Sequence, residues 1–581
     1  MAFQGGINYA TVQAVSVSGT GAAGSNGAID NTSGTNSFAG PITMTGNTTM
    51  GAASGSQLTL SGVIGGSGFN LTKAGTGTLT LSGASANTYS GTTTISAGTL
   101  VAAKNAALGT GAGLTTVSSG ATLAFQGGIN YATIQSVSVS GTGAAGSNGA
   151  IDNISGNNTF AGPITMTAAT TMGAASGTQL TLSGIINDGF SGFTLTKAGT
   201  GTLTLANANT YTGNTTISAG TLQVGGSGSL GSGAYAGTIA NSGTLEYSSS
   251  ANQTLSGIIS GTGALTKDTS AASTLDLTGA NTYSGNTTIS AGTLQIGGGG
   301  SLGTSATYAG TITDNGTLKY SSSANQILSG NISGTGGLTK DTSATSILTL
   351  SGANTFTGAT NISKGTLTAG AVDVLKTSSG VTVASGATLN LNGFNQTITN
   401  LNISGTLASA GTETLTLAGA SNILGASQTF NGTLDLANAT LSLAGFNLTV
   451  GTLDITANSV IDFGGSGSSS ILSVTNLILA GGVILTVNNW NDEKEYFYSA
   501  NFTGAIPNAM GAAPENQIHF TGFSGGNGAT TKWLSADHEI TPVPEPATYG
   551  ALFTAAALGL FFWFRLKANT VRPVPVRIAV R

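Results

Sequence analysis

One phrase occurs four times in this chain and constrains its fold more than any other feature. The letters T-L-x-L are followed by A-N-T-[YF]-[ST]-G and then by I-S-x-G-T-L, at Thr78–Leu100, Thr202–Leu222, Thr274–Leu294 and, more loosely, Ile347–Leu367. When similar units follow one another along a chain, they stack on each other, and each unit buries its apolar face only against its neighbours. The repetition therefore predicts an elongated solenoid rather than a globule with one central pocket.

The strand core of each repeat alternates leucine with threonine, as in Thr78-Leu79-Thr80-Leu81. Successive residues of a strand point to opposite faces, so we expect leucines inside and threonines outside. Glycine and asparagine between the strands are expected to supply left-handed backbone angles at the corners. Only Pro41 and Pro163 precede Pro507, which fits a chain whose backbone N–H groups are mostly used in sheet.

A second level of repetition gives an expected turn length. Phe3–Thr45 returns almost unchanged at Phe125–Thr167, an offset of 125 − 3 = 122. The aromatic residue of the repeated phrase stands at Tyr89, Tyr211, Tyr283 and Phe356, so its successive steps are 211 − 89 = 122, 283 − 211 = 72 and 356 − 283 = 73. With about 24 residues per turn, these steps predict five, three and three whole turns.

The fold predicted from these patterns is all-β: a long right-handed parallel β-helix over residues 1–480. A helical solenoid is disfavoured because no 3.6-residue periodicity persists and Gly, Thr, Ser and Asn form helices poorly. An antiparallel sandwich or a set of small β domains remains the alternative, although Asn-Gly pairs suited to hairpins are few and unevenly spaced. Residues 481–541, with the aromatic-rich stretch Trp490–Ile540, are expected to cap the last turn.

Composition excludes several classes of function. Cysteine is absent, so disulfides and thiolate metal sites are excluded. Up to Pro546 the chain carries 10 Lys, no Arg and 20 acidic residues, a net charge of 10 − 20 = −10. Nucleic acid binding depends on neutralising phosphates with Lys and Arg, so a nucleic acid partner is not expected.

The phrase G-A-N-T-Y-[ST]-G…I-S-A-G-T-L resembles the autotransporter-associated β-strand repeat of long bacterial surface proteins. The resemblance covers most of Gly51–Leu367, and weaker strands at Leu401–Leu407 and Leu434–Leu453 continue it. It implies export and surface display, and says little about a ligand. The start Met1-Ala2-Phe3-Gln4 matches the inside of a repeat and lacks a signal-peptide pattern, so we expect a longer gene product.

The C-terminal residues 542–581 have the layout of a sorting signal. The uncharged span Ala547–Phe564 is 18 residues long, about 27 Å as a helix, and predicts a single transmembrane segment with a basic, cytoplasmic tail. Together with Pro-Glu-Pro this tail resembles a PEP-CTERM signal, although it runs on to Arg581. The resemblance implies processing by an exosortase and assigns the signal to Val543, Pro544, Glu545, Pro546, Arg565 and Lys567. A plain single-pass anchor or a buried hydrophobic helix is the simpler alternative.

The sequence predicts no catalytic residue, no cofactor and no metal site. His519 and His538 lack the signature of a zinc site or a catalytic triad. The acidic residues are scattered singly, at Asp188, Glu246, Asp276, Asp314 and Asp373, and the run Asp492–Glu495 is expected to be a solvated turn. Coiling brings distant residues together, so a β-helical polysaccharide lyase or hydrolase remains the alternative function.

Two recurring side chains are candidates for binding. The lysines of Leu-Thr-Lys either form a polar row for an anionic polymer or protect strand ends as surface charges, and we favour the second; they are Lys73, Lys197, Lys267 and Lys340. The tyrosines Tyr89, Tyr211 and Tyr283 either stack on sugars or pack in the corners, and we favour packing.

The function expected from these features is an exported, non-enzymatic structural or adhesive protein of the cell surface or extracellular matrix. Its threonine-rich faces would bind by many weak contacts. The expected partners are an exosortase, the membrane through the C-terminal helix, and an extracellular polysaccharide. A self-associating filament subunit is a third reading.

Overall fold

The computed structural model describes residues 1–464, 469–490, 494–503, 517–521, 531–534 and 538–542. These residues form a parallel β-solenoid of about 21 turns, which confirms the predicted all-β parallel fold. The chain divides into two compact units, Met1–Leu367 and Thr368–Arg581. The expected transmembrane span, 547–564, lies outside the described residues. Within the described ranges, no helix is both long and apolar enough to cross a bilayer.

In the first unit, residues 1–194 form short strands interrupted by glycine-rich corners. Their bounds are Ala2–Phe3, Asn8–Tyr9, Val15–Gly19, Ile29–Asn31, Thr35–Phe38, Ile42–Ala52, Gln57–Leu60, Ile64–Gly65, Leu71–Ala74, Thr78–Leu81, Thr93–Ile95, Gly98–Ala102, Thr115–Val117, Ala121–Gln126, Asn130–Tyr131, Val137–Gly141, Ile151–Ser155, Asn157–Phe160, Ile164–Ala174, Gln179–Leu182 and Ile186–Asn187.

From residue 195 to residue 369 the strands lie on three faces. The first face contains Leu195–Ala198, Thr215–Ile217, Ile239–Asn241 and Ile259–Ser260. The second contains Thr202–Leu205, Thr221–Gly226, Thr244–Ser249, Ala264–Lys267, Thr287–Ile289, Ile312–Asp314 and Ile332–Ser333. The third contains Ala234–Tyr235, Gln253–Leu255, Thr274–Leu277, Thr293–Ile296, Thr317–Tyr320, Gly337–Lys340 and Thr360–Ile362. The last turns of this unit are completed by Thr307–Tyr308, Gln326–Leu328, Ile347–Leu350 and Gly365–Ala369.

The second and third steps of the repeated phrase each span three and a third turns, and the first step, of 122 residues, spans about five and a third. The prediction of a whole number of turns per repeat is therefore wrong. Thr215 pairs with Ile239, Ile239 pairs with Ile259, and the Tyr283 N–H donates to the Ile259 carbonyl. Thr287, the equivalent of Thr215 one repeat later, lies one face further on. Dividing the step of 287 − 215 = 72 by three and a third gives about 22 residues per turn, which is an ordinary period for a solenoid. Each repeat therefore presents its surface on the next face of the solenoid.

The core is a narrow column of inward side chains, as the alternation predicts. Leu79 and Leu81 are fully buried, and so are their counterparts Leu203 and Leu205. Burying one such leucine stabilises the fold by about 1.5–3 kcal/mol. Thr204 points outward but is covered by long side chains of the adjacent turns, since its hydroxyl bonds the side chains of Gln179 and Gln223 at 2.9 and 2.8 Å.

The second unit has longer strands and ends in an antiparallel element. Its strands are Val381–Val383, Ala387–Asn390, Gln396–Thr399, Leu401–Ile403, Thr406–Ala408, Thr414–Leu424, Gln428–Ser442, Leu448–Ile455, Ser459–Asp462, Ile471–Leu479, Leu485–Asn488, Tyr496–Thr503, Ile518–Thr521, Thr531–Leu534 and Glu539–Pro542. Leu485 still pairs with Ile518 in parallel, whereas Tyr498 and Thr531 pair with the last strand in the antiparallel sense. Trp490 packs between Phe463 and Phe520, with ring centroids 5.1 and 5.0 Å away.

Candidate binding surface

The four repeated lysines are fully buried, so both readings of them as surface charges are wrong. In Leu71-Thr72-Lys73 the lysine shares the inward direction of the leucine two residues earlier. The Lys73 Nζ donates hydrogen bonds to the carbonyls of Ala74, Gly75 and Ala97 at 2.9, 2.7 and 3.0 Å. The ammonium group therefore uses all three of its donors inside the protein and joins two successive turns.

The same arrangement recurs in every repeat, and a glycine makes room for it. Lys197 bonds the carbonyls of Ala198, Gly199 and Ala219 at 2.9, 2.7 and 3.1 Å. Next to the last of these carbonyls stands Gly220, the glycine of I-S-x-G, with φ of 63°. At the equivalent Gly292 an added Cβ would lie 2.8 Å from the Lys267 Nζ. Burial lowers the pKa of Lys197 to about 8, but three carbonyl acceptors favour the charged form.

The repeated tyrosines are buried in the corners, which confirms packing rather than sugar stacking. The Tyr211 hydroxyl bonds the Thr215 hydroxyl at 2.9 Å, and Thr215 in turn bonds Tyr235 of the next turn at 2.7 Å. The two rings meet edge to face with centroids 5.6 Å apart. Burial raises the pKa of Tyr235 to about 12. These rings are unavailable to a ligand.

The asparagines of A-N-T also differ from expectation, because they do not adopt left-handed angles. Asn209 is fully buried, and its Oδ1 accepts the Ile186 N–H at 2.9 Å. Its Nδ2 donates to the carbonyls of Asn207 and Ser229 at 2.7 and 3.2 Å. Asn87 and Asn281 form equivalent bonds. The asparagine thus substitutes for strand hydrogen bonds at a corner.

The surface left to solvent is built from outward threonines in register. Thr49 pairs with Thr72, Thr72 with Thr94 and Thr94 with Thr116, so four successive turns form one column of half-exposed hydroxyls. Neighbouring strands are about 4.8 Å apart, which sets the spacing of these hydroxyls. Later columns, such as Thr171, Thr196 and Thr216, lie on the next face, because the repeat advances by a third of a turn.

One aromatic side chain protrudes from this surface. Phe190 is 84% exposed, at the tip of a loop that is longer here than in the first copy of the duplicated segment. Asp188 holds the loop: its carboxylate accepts the N–H groups of Phe190, Gly192 and Phe193 at 3.0, 2.9 and 3.1 Å. Burial acts to raise the pKa of Asp188, but these bonds and two from Thr212 hold it below its ordinary value.

The scattered acids do not gather into a reaction site in the described part of the chain. No three His, Asp or Glu side chains there are placed to hold a metal ion. Asp314 is buried, and burial raises its pKa to about 6. Glu495, expected in a solvated turn, is buried just before the strand Tyr496–Thr503. Asp492 and Glu493 lie outside the described residues, as do all six residues assigned to the sorting signal.

Comparison with known proteins finds a family of repeats that matches four segments of this chain. The family described as Passenger-associated-transport-repeat matches residues 71–102, 195–224, 272–296 and 345–369. The four repeats of this chain resemble passenger-associated transport repeats. Each match contains the buried corner aromatic and the strands on either side of it. The predicted resemblance to repeats of autotransported proteins is therefore confirmed.

One longer protein is similar to most of this chain. The chain is 30% identical over 516 aligned residues to the Adhesin BmaC autotransporter of Brucella suis biovar 1 (strain 1330). The alignment covers 74% of this chain but only 14% of the adhesin, so the chain spans about a seventh of the length of that relative. No solved structure matches the chain.

Proposed function

We propose that this chain forms the displayed repeat region of an exported, non-enzymatic surface adhesin. The observation that carries the proposal is the stack of four passenger-type repeats in a parallel β-solenoid, together with the similarity to an autotransporter adhesin. Such a stack presents the same polar groups many times at short spacing. Individually weak contacts then add up through multivalency.

The surface that would make these contacts is the set of threonine columns, with protruding apolar side chains such as Phe190 as anchors. We propose an extended extracellular polysaccharide as the partner, because half-exposed hydroxyls at about 4.8 Å spacing offer repeated hydrogen bonds to a repeating polymer. Few charges stand on this surface, since charged residues are 6% of the chain and the repeated lysines are buried. A neutral polymer suits it better than an anionic one.

Delivery to the surface is the second part of the proposal. The sequence pattern from Val543 to Lys567 supports sorting by an exosortase-type enzyme, with a membrane-spanning stage before processing. The basis of this step is the order of Pro-Glu-Pro, apolar span and basic residues. Substitution of Glu545 by Ala, with an epitope tag after Arg581, tests it: retention of the tag on the cell-bound chain is expected only in the variant.

Adhesion itself is tested with the purified full chain on immobilised neutral polysaccharides. We expect binding of the protein to grow steeply with the surface density of the immobilised polysaccharide, as multivalent contacts require. The matched variants are Thr94→Val and Thr94→Val with Thr116→Val, which keep the strand and remove one or two hydroxyls from a column. Binding that does not depend on density, or that survives both substitutions unchanged, would contradict the proposal.

A further inference from the structure

A set of exposed or half-exposed asparagines at the corners uses only one end of its amide. In each, Oδ1 accepts a backbone N–H from the next turn. Examples are Asn214 with Thr238 at 2.9 Å and Asn286 with Thr311 at 3.1 Å. The described part of the chain contains twelve of these corner asparagines: Asn47, Asn70, Asn105, Asn214, Asn252, Asn286, Asn315, Asn325, Asn331, Asn395, Asn447 and Asn458. Within the described ranges, Nδ2 makes no hydrogen bond in any of them.

Nine of the twelve corner asparagines are followed two residues later by threonine or serine. The exceptions are Asn105, Asn325 and Asn458, since alanine, isoleucine and valine stand at that position. The pattern N-x-[ST] is the acceptor sequence for N-linked sugars on exported proteins. The chain thus combines the acceptor sequence with an amide nitrogen that the fold leaves free.

The hydroxyl of that pattern has no role in the fold. The nine side chains are Thr49, Thr72, Thr216, Thr254, Thr288, Thr317, Ser333, Thr397 and Thr449, and in the described structure none of their hydroxyls forms a hydrogen bond. Ile327 and Val460 occupy the same strand position without a hydroxyl. The strand therefore does not need a hydroxyl at this position, and the hydroxyl is left for another use.

The buried asparagines show the opposite combination. Asn209 and Asn281 donate from Nδ2 to carbonyls inside the corner, and an aromatic residue rather than Ser or Thr stands two positions after each. Asn31 and Asn153 do have the acceptor pattern, but they are fully buried and their Nδ2 atoms donate to Gly34 and Gly156. A sugar on either would break an internal bond, so these two asparagines serve as controls.

We propose that the nine corner asparagines are acceptors for N-linked glycosylation of the folded solenoid. In the transfer, Nδ2 forms a bond to the anomeric carbon of a glycosyl phosphate donor while the bond from that carbon to the phosphate oxygen breaks. The phosphate leaves with the electron pair, and an Nδ2 proton passes to a base of the glycosyltransferase. The modified amide keeps Oδ1, so its bond to the next turn is retained.

The inference rests on the proposed surface display, because the sugar coat would belong to an exported protein. The test is site occupancy by peptide mass spectrometry on the full chain isolated from the cells that make it, with surface exposure measured separately by protease treatment of intact cells. Sugars are expected at the corner sites and not at Asn31, Asn153, Asn325 or Asn458. Thr216→Val should abolish occupancy at Asn214, and Ile327→Thr should create it at Asn325.

The outcomes separate the two proposals. A surface-exposed chain that carries no sugar at any of the nine sites would overturn the glycosylation proposal and leave the proposed function standing. Occupancy of the four control asparagines equal to that of the corner sites would also overturn it. A chain absent from the surface would count against the proposed function itself.

Discussion

Replacement of Lys73 by methionine tests the role of the buried ammonium groups. The change keeps the apolar stem of the side chain and removes three hydrogen bonds, to the carbonyls of Ala74, Gly75 and Ala97. Hydrogen bonds from a charged donor contribute about 1.5–3 kcal/mol each, so the three contribute about 4.5–9 kcal/mol. Against this, burial lowers the pKa of Lys73 from 10.5 to about 8, which corresponds to about 3.4 kcal/mol.

The difference predicts that Lys73→Met lowers the free energy of unfolding of the surrounding turns by about 1–6 kcal/mol, with about 3 as the central value. The assay is hydrogen exchange by mass spectrometry on peptides from residues 71–102, where about 3 kcal/mol appears as a roughly 150-fold faster exchange. The matched control is Lys104→Met. Lys104 is also buried, with its pKa lowered to about 8, but its Nζ has one bond, 3.3 Å long, to Gly62.

For the control we expect a change of less than about 1 kcal/mol, or a gain, because one weak bond and an unfavourable buried charge are lost together. The reasoning is refuted if Lys73→Met exchanges at the wild-type rate. It is also refuted if both variants lose the same protection, since burial alone would then explain the effect.

Four further outcomes follow from the same structure. The free energy of unfolding should fall as the pH rises above 10, because burial raises the pKa of Tyr235 to about 12 and such tyrosines then stay protonated only in the folded chain. Urea titrations that give the same free energy of unfolding at pH 10 and at higher pH would contradict this prediction. Asp314→Asn should stabilise the fold by up to about 3 kcal/mol at pH 7, since burial raises the pKa of Asp314 from 3.8 to about 6. The wild type should gain the same stability as the pH falls towards 4. A variant less stable than the wild type at pH 7 would contradict this prediction. Gly292→Ala should destabilise by several kcal/mol in thermal unfolding, because φ is +73° and the new Cβ would lie 2.3 Å from the Ser270 carbonyl oxygen; Gly299→Ala, where a Cβ meets nothing within 4 Å, is its control. Phe190→Ala should leave the melting temperature unchanged and weaken adhesion to the proposed polysaccharide; unchanged adhesion would remove Phe190 from the binding surface.

The parallel stack and its leucine core could be predicted from the sequence because period-two alternation and whole-phrase duplication are local signals. The burial of Tyr211 and its equivalents followed from their position between two strands. The turn length could not be predicted, because the three faces are equivalent for packing. A repeat could occupy nine strand positions, which make three turns, or ten, which make three and a third turns. Both fit the sequence equally well, and only the pairing of Thr287 with Leu265 distinguishes them.

The prediction that the lysines are surface charges is wrong because their position in the strand outweighs their charge. Alternation in Leu71-Thr72-Lys73 points Lys73 inward, a signal present in the sequence. The carbonyls that make this burial favourable belong partly to the next turn, as Ala97 does, so they become visible only in the structure. The corner asparagines are a similar case, since their hydrogen-bond partners lie 19 to 27 residues further along the chain.

Pairwise cross-linking tests the central claim, that successive turns stack in parallel register and each repeat advances by one face. The chain has no cysteine of its own, so introduced pairs report without background. Thr266→Cys with Thr288→Cys places two thiols on adjacent strands, about 4.8 Å apart and within disulfide range. Rapid oxidation of this pair, and none within the monomer for Thr216→Cys with Thr288→Cys, is the predicted result. Ready cross-linking of the second pair, or failure of the first in the folded protein, would contradict the account.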